Sequence, residues 1–270
     1  MAWQAAVPRR CTTPSIHPTP YSSMAYTPSS KLKPILEVVE TAKSLFRGRL
    51  EQLQTSGGMT REAYVRYLSF QYHLTKGVQR HFLKVAAHPR LAGKNTLREF
   101  LFKFGLEEEP HYKVAEVDLQ RLGEKPLPCP VDVSMWWAYF DQIVEQRPFV
   151  RLGATCVLEN LGAGAGALGH HLLDHAPFLN KSNTRFITIH FHELLPHGDQ
   201  ILSALDRVSL GAEDMAELVE GANVGSIIYM RLAMWALGQD ELTCRWFNPA
   251  SSLERVEDGV YEDLAGLVDG

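Results

Sequence analysis

Apolar residues recur at intervals of three and four along most of this sequence, from Lys31 to Leu237. That spacing places them on one side of an α-helix, whereas a half-buried strand requires strict alternation of apolar and polar residues. Alternating runs of β-branched residues are few, and none is strong enough to suggest a sheet. The sequence therefore predicts an all-α fold of about seven to eight helices.

Turn and cap residues divide this region. A first helix, residues 36–54, ends at a Ser-Gly-Gly turn, and a second, residues 64–87, ends before a His-Pro pair because the residue before proline avoids helical geometry. Pro110 suits the first turn of a new helix, so the glutamates at 107–109 are expected at a kink or cap. The remaining helices are predicted at about residues 94–106, 110–122, 131–145, 150–175, 182–208 and 212–237.

The helical region is expected to form one domain, residues 31–240, which is long enough to bury a substantial core. Residues 1–30 are rich in proline, serine and threonine and lack the continuous apolar segment of a secretory signal. We expect a disordered leader there, with Met24 as a second candidate for the start of translation. Residues 241–270 are expected to form a polar C-terminal tail.

Charge and cysteine content argue against several classes of protein. The formal net charge of −4 gives no reason to expect nucleic acid or an anionic membrane as partner. No apolar run reaches the roughly 18 to 20 residues that span a bilayer. The four cysteines lack CxxC spacing and indicate neither a zinc site nor a disulfide framework. We expect a cytoplasmic protein that acts on a small molecule.

The predicted helix at residues 150–175 is unusually rich in glycine. Each glycine inside a helix costs on the order of 1 kcal/mol relative to alanine, so some gain must offset the loss. Either another helix packs closely against this one, or the helix bends and borders an active-site cavity. Both interpretations stay open. The glycines are Gly153, Gly162, Gly164, Gly166 and Gly169.

The densest group of potential metal ligands is the segment IHFHELLPHGD. At about 100° per residue of helix, His190, Glu193 and His197 share one face. His192 and Asp199 share another face, nearly opposite. Only one of these two sets can point at a given metal ion, and we favour the first.

Complementary donors occur on other predicted helices. Glu159 is a lone carboxylate in an apolar helix, where an ionised group is unfavourable unless it is paired or bound to metal. Glu108 and His111 form a Glu-x-x-His step of the kind that reaches one ion in carboxylate-bridged di-iron bundles, with Glu107 as the competing carboxylate. Mixed imidazole and carboxylate ligation suits iron or manganese. The expected ligands are Glu107 or Glu108, His111, Glu159, His190, Glu193 and His197.

Two segments resemble a known superfamily. The segment RLGATCVLENLGAG, residues 151–164, resembles the glycine-containing distal helix of the heme oxygenases, whose pattern is LGxxxVLEGxxLG. The segment AYVRYLSFQYH, residues 63–73, resembles an early helix of the same fold. The resemblance covers about residues 31–237 and implies a heme-oxygenase-like helical bundle. Heme degradation is disfavoured, because Leu45 stands where true heme oxygenases carry their proximal histidine.

The non-heme di-iron oxidase and oxygenase branch of that superfamily is the more similar one. Its core-helix glutamate corresponds to Glu159, and its His-x-x-x-Asp-x-x-His step corresponds to His190 and His197. The resemblance therefore implies an iron cofactor of two ions and dioxygen as co-substrate. It also implies that Glu159, His190 and His197 are the central catalytic residues.

Two positions depart from the branch. Leu194 stands in place of its aspartate, so Glu193 would have to substitute. Phe104 stands in place of its early glutamate, so Glu107 or Glu108 would have to serve instead. The site is then expected to hold two irons, one iron or none.

Three functions follow. The first is an iron-dependent oxidoreductase of specialised biosynthesis that acts on a small amine- or carboxylate-bearing substrate. Helical enzymes of this class are often dimers, so a homodimer is compatible with this function. The second is a metal-free enzyme resembling the thiaminase-like and cofactorless-oxidase branches, in which Glu159 and His190 or His197 act as acid and base. The third is a binding protein that has lost the site.

Overall fold

The computed structural model describes residues 26–162, 166–191 and 197–239, with the backbone alone at residues 190 and 191. These residues form eleven α-helices and two short 3-10 helices and contain no strand, which confirms the predicted all-α fold. No described helix is both long and apolar enough to cross a membrane. The α-helices are α1 (Lys33–Thr55), α2 (Arg61–Thr75), α3 (Gln79–Ala87), α4 (Asn95–Glu108), α5 (His111–Arg121), α6 (Val131–Ile143), α7 (Pro148–Leu161), α8 (Gly166–Asp174), α9 (Arg185–Phe191), α10 (His197–Asp206) and α11 (Ala212–Ala236).

Three of the predicted helices are each described as two. Between α2 and α3 the cause is Gly77, whose φ of 88° lies in the left-handed region and ends the α-helical hydrogen bonding. Periodicity alone missed this break, because a single glycine is often tolerated inside a helical pattern. Helices α7 and α8 lie on either side of residues 163–165, and α9 and α10 on either side of residues 192–196, which are outside the described part.

Helix α7 is the central helix of the fold. All of its residues from 148 to 157 are buried, and α1, α3, α6, α10 and α11 pack around it. A helix that is mostly apolar around its circumference has to be enclosed in this way, and its few polar side chains are then buried as well. Side chains on α7 therefore point into the interior of the protein in every direction.

Helices α7 and α11 approach each other at glycines. A β-carbon on Gly153 would lie 2.0 Å from the carbonyl oxygen of Leu218, and one on Gly221 would lie 1.8 Å from that of Val150. At Gly162, by contrast, no described atom outside the local backbone lies within 4 Å of the β-carbon position, and this residue lines a cavity. Close packing therefore accounts for Gly153, and Gly162 borders a cavity, while a bent helix at an active site stays a prediction.

Candidate metal site

The corner between α4 and α5 directs two predicted ligands into the interior. Glu108 is the last residue of α4, and Pro110 separates it from His111, the first residue of α5. Proline lacks the backbone N–H that would continue α4, so the chain turns at this point. The Glu108 side chain is only 6 % exposed, whereas Glu107 and Glu109 lie on the surface. Glu108 is thus the inward-facing carboxylate of the three.

Two further predicted ligands meet where α10 begins beside the end of α7. A β-carbon on Gly198 would lie 2.3 Å from Oδ1 of Asn160, so glycine is what permits this close approach. Asn160 itself donates a hydrogen bond of 2.7 Å from Nδ2 to the carbonyl oxygen of Cys156. The result is that Nδ1 of His197 lies 3.5 Å from Oε2 of Glu159.

Glu108, Glu159 and His197 form a compact group of donor atoms. Nδ1 of His197 lies 2.8 Å from Oε1 of Glu108, and the three residues offer oxygen and nitrogen atoms that all lie within 4.8 Å of one another. Nδ1 of His111 lies 2.8 Å from Oε2 of Glu108, and its ring is nearly parallel to that of His197 at 5.9 Å between centroids. We call these four residues the histidine-paired cluster.

Opposite charges stabilise each other within the histidine-paired cluster. Burial would raise the pKa of Glu108, but hydrogen bonds from His111 and His197 outweigh it and lower that pKa to about 2. Burial would lower the pKa of His197, but hydrogen bonds to Glu108 and Glu159 outweigh it and raise that pKa to about 11. Glu108 likewise raises the pKa of His111 against the effect of burial. In the metal-free protein, His197 is therefore protonated at neutral pH.

The donor set fits a metal ion. An ion about 2.1 Å from each ligand keeps its donors within about 4.2 Å of one another, so a small contraction of the group suffices. Two carboxylates with an imidazole are ligands of iron and manganese rather than of thiolate-preferring metals. The position that the metal would occupy is the one where His197 now shares a proton with the carboxylates. The structure thus contains a largely buried Glu-Glu-His group that could bind a metal ion.

The remaining predicted ligands, His190 and Glu193, and the set not favoured, His192 and Asp199, belong to the same stretch of sequence. The backbone of His190 belongs to α9, but its side chain, with the whole of His192 and Glu193, lies outside the described residues. The ligand roles of His190 and Glu193 stay predictions. Asp199 lies on α10, half-buried, and takes no part in the donor group.

Phe104 stands one helical turn before Glu108 on α4 and is fully buried. Its ring packs edge-on against the imidazole of His197, with 5.0 Å between centroids. The position at which the resembling enzymes carry a glutamate is therefore an apolar wall of the site here. The nearest carboxylate on α4 comes from Glu108 instead.

A cavity of about 170 Å³ lies beside the donor group, lined mainly by apolar side chains. Glu108 and Glu159 form part of its wall, and Gln71 adds a polar group whose Nε2 donates a 3.0 Å hydrogen bond to the hydroxyl of Tyr229. Arg151 is the one cation among the lining residues in the described part of the chain. Arginine does not ligate metals, so Arg151 was not singled out from the sequence. The signal that could have found it is a lone cation in an apolar helix, two turns before Glu159.

Comparison with known proteins supports the fold. No protein-family profile and no curated protein matches the chain. A structural match is the crystal structure of a domain of unknown function with a heme oxygenase-like fold from Shewanella denitrificans. The match has a TM-score of 0.65 and 21% sequence identity, and it covers 78% of this chain and 93% of that one. At this identity the match shows the fold alone, which is the heme oxygenase-like fold and is found in enzymes.

Proposed function

We propose that this protein is a non-heme iron oxidase or oxygenase that uses dioxygen to oxidise a small amine- or carboxylate-bearing substrate in specialised metabolism. The observation that supports this function is the convergence of Glu108, Glu159 and His197 beside a mostly apolar cavity. Bound iron would supply the redox chemistry with dioxygen. The chain's own residues hold the ligand atoms in place, exclude bulk water and orient the substrate.

Glu108 is suited to bridging two ions. Its oxygens contact different imidazoles, Oε1 that of His197 and Oε2 that of His111, each at 2.8 Å. Carboxylates shared in this way, together with Glu-x-x-His steps, are the ligands of di-iron helical bundles. We therefore favour two iron ions, with His190 and Glu193 as the further ligands, and keep a single ion as the alternative.

Metal content is the direct test. Protein loaded with Fe(II) without oxygen and then desalted is expected to retain iron by elemental analysis, and the stoichiometry decides between one ion and two. Glu108→Ala, Glu159→Ala and His197→Ala are expected to lose iron while circular dichroism stays helical. Glu107→Ala removes the exposed neighbour of Glu108 and is the matched control that keeps iron. Iron retained in all three site variants, or never bound by the wild type, contradicts the proposal.

A metal-free acid–base enzyme is the second candidate, supported by the 2.8 Å contact between His197 and Glu108. A protonated His197 would pass its proton through Glu108, which lines the cavity, to a substrate there, and the Glu159 carboxylate, 3.5 Å from His197, would accept one. A chelator separates the two functions. Activity that a chelator abolishes and Fe(II) restores supports the iron enzyme, whereas activity that persists without metal supports the acid–base enzyme.

A further inference from the structure

Arg151 is a buried cation on the same face of α7 as the metal-binding glutamate. Arg151, Thr155 and Glu159 follow one another at intervals of four residues and all line the cavity. Eight residues of α-helix separate the Cα atoms of Arg151 and Glu159 by about 12 Å. The Arg151 residue is 2 % exposed. The cavity therefore has a cationic region and a carboxylate region, and both are fixed by one helix.

Among the described residues, the groups that contact the Arg151 guanidinium are uncharged. Its Nη1 donates to the hydroxyl of Thr155 at 2.7 Å, and its Nε donates to Nδ1 of His81 at 3.2 Å. Burial and the charge of Arg151 lower the pKa of His81 to about 3, so this imidazole is neutral. The guanidinium also lies over three aromatic faces at 5.1 to 5.4 Å from the ring centroids, those of Phe82, Trp136 and Phe140.

The guanidinium lacks a bound counter-ion in the described part of the chain, where no carboxylate lies within ion-pair distance of it. Burial lowers the pKa of Arg151 to about 10 although the more distant charges of Glu159 and Glu108 act to raise it, and Arg151 stays charged at neutral pH. A buried charge of this kind is unfavourable until an opposite charge pairs with it. Trp136, which also lines the cavity, has a buried indole N–H with no acceptor among the described residues. Donors without acceptors are rare in protein interiors, so this N–H is available to a water molecule or to a ligand in the cavity.

We propose that Arg151 binds the carboxylate of the substrate, and that the substrate is a small monocarboxylate whose apolar body extends along α7 toward Glu159. The planar guanidinium still has N–H groups on Nη1 and Nη2 for the two oxygens of a carboxylate. The mostly apolar lining of the cavity accommodates a hydrocarbon body. A simple amine is excluded at this end, because its charge would be repelled by Arg151.

This inference rests on the proposed function in one respect, that the cavity is the substrate site. It narrows the substrate to a carboxylate and assigns Arg151 to its recognition. The alternative is a purely structural role, in which Arg151 ties α3 and α6 to α7 through His81 and the aromatic rings. The experiment has to separate recognition of a carboxylate from support of the fold.

Binding of matched acids, amides and amines to purified protein, with and without Fe(II), makes that distinction. The probes are butanoate, hexanoate, octanoate and benzoate, each beside its primary amide and the corresponding amine, measured by calorimetry and by tryptophan fluorescence, since Trp136 adjoins Arg151. At least one acid is expected to bind about tenfold or more tightly than its amide, and the amines more weakly still. If no acid binds better than its amide, the inference is wrong.

Arg151→Met is expected to remove the preference for acid over amide while leaving amide binding unchanged. Arg80→Met is the matched control: Arg80 stacks on Trp137 at 4.4 Å and pairs with Asp141, but it is exposed and does not line the cavity. If Arg151→Met does not fold, Arg151→Lys keeps the charge without the planar fork, and the preference for acid should persist in weakened form. An unchanged preference in the Met variant, or an undiminished one in the Lys variant, assigns Arg151 a structural role only.

The two proposals fail separately. Protein that never binds iron but still prefers the acids in an Arg151-dependent way keeps this inference and loses the iron enzyme. Protein that binds iron but does not distinguish acid from amide keeps the iron enzyme and loses this inference.

Discussion

Two groups of inward-facing carboxylates lie near opposite ends of α7, and different cations neutralise them. Near its first residues, Asp214 and Glu217 of α11 form ion pairs with Arg90, and we call these three residues the arginine-paired cluster. Near its last residues lies the histidine-paired cluster, in which imidazoles take the place of the guanidinium. Both clusters lie against α7, and the carboxylates of both are mostly buried.

The ion pairs of the arginine-paired cluster are permanent. Nη2 of Arg90 lies 2.6 Å from Asp214, Nη1 contacts Glu217, and Glu217 also accepts the backbone N–H of Phe149 at 3.3 Å. Burial would raise the pKa of Asp214, but hydrogen bonds from Gly211 and Arg90 keep it low. Arginine does not lose its proton in proteins, so it remains a fixed counter-ion.

The histidine-paired cluster can exchange its cations. A histidine that gives up its proton offers the same nitrogen as a metal ligand, so a metal ion can replace the proton of His197 without leaving Glu108 and Glu159 unpaired. Buried carboxylates are thus poor evidence for a metal site in themselves. The cation beside them distinguishes the two cases: arginine indicates a structural ion pair, and histidine indicates a candidate metal site.

The largest expected effect is on folding stability in the arginine-paired cluster. Glu217→Gln leaves Arg90 without its most buried partner and should lower the free energy of unfolding by about 3 kcal/mol, measured by chemical denaturation. Iron content should not change. Glu213→Ala, which removes an 82 % exposed carboxylate 3.7 Å from Arg90, is the control and should change stability by less than about 0.5 kcal/mol. Equal effects of the two variants would show that burial of the pair has no importance.

A Glu→Gln substitution in the histidine-paired cluster should instead affect metal binding more than folding stability. Glu108→Gln is expected to weaken iron binding by more than about 100-fold, because it removes the charge of a ligand shared by two imidazoles. Without metal, Glu108→Gln should lower the free energy of unfolding by less than Glu217→Gln does. The reason is that His111 and His197 can release the protons that the Glu108 carboxylate no longer stabilises. Metal titration and denaturation of both variants check this, and a larger stability loss in Glu108→Gln would be the contrary outcome.

The exchange of proton for metal predicts a pH dependence. The metal-free protein holds a proton on His197, whose pKa is about 11, so below that pH the metal must displace the proton. Affinity for a divalent ion should therefore rise with pH, by about tenfold per pH unit for each proton released. Titration with Mn(II) in buffers of different ionisation enthalpy counts the protons. An affinity that is constant between neutral and mildly alkaline pH would contradict this exchange.

The smallest predicted effect concerns the approach of α10 to α7. Gly198→Ala places a β-carbon on the Asn160 side chain and should move His197 away from Glu159, weakening metal binding by about tenfold. The double variant Gly198→Ala/Asn160→Ala removes the obstructing amide and should recover most of the affinity. A single variant that binds as tightly as the wild type would mean that Asn160 moves aside freely.

The sequence could predict the all-α fold because apolar spacing is a local property. It also predicted that Glu159 has a partner, since a lone carboxylate in an apolar helix needs one. It could not choose between Glu107 and Glu108, because apolar residues such as Phe102 and Leu106 also occupy the exposed face of α4 and hide which face is buried. The structure turns Glu108 inward, and only the packing of α10 against α4 and α7 shows this.

Other features depend on contacts between distant residues. Arg151 becomes informative only when its neighbours are known to be uncharged, and no local pattern shows that His81 and three aromatic rings surround it. The break at Gly77 was missed for another reason, since a glycine in a helical pattern does not show by itself whether it adopts a positive φ. His190 and Glu193 stay predictions, since their side chains lie outside the described part of the chain.

The glycine contacts between α7 and α11 give the cavity one fixed wall and one adjustable wall. Backbone packed directly on backbone at Gly153 and Gly221 leaves no flexible side chain to absorb a shift, so Arg151 and Glu159 keep their spacing whatever binds. If the Glu-Glu-His group binds an ion, the Glu108 corner and the start of α10 are then the parts that would adjust to it. Under both proposals, change in substrate size during evolution would accordingly be recorded on the adjustable wall, while the distance between Arg151 and Glu159 stays constant.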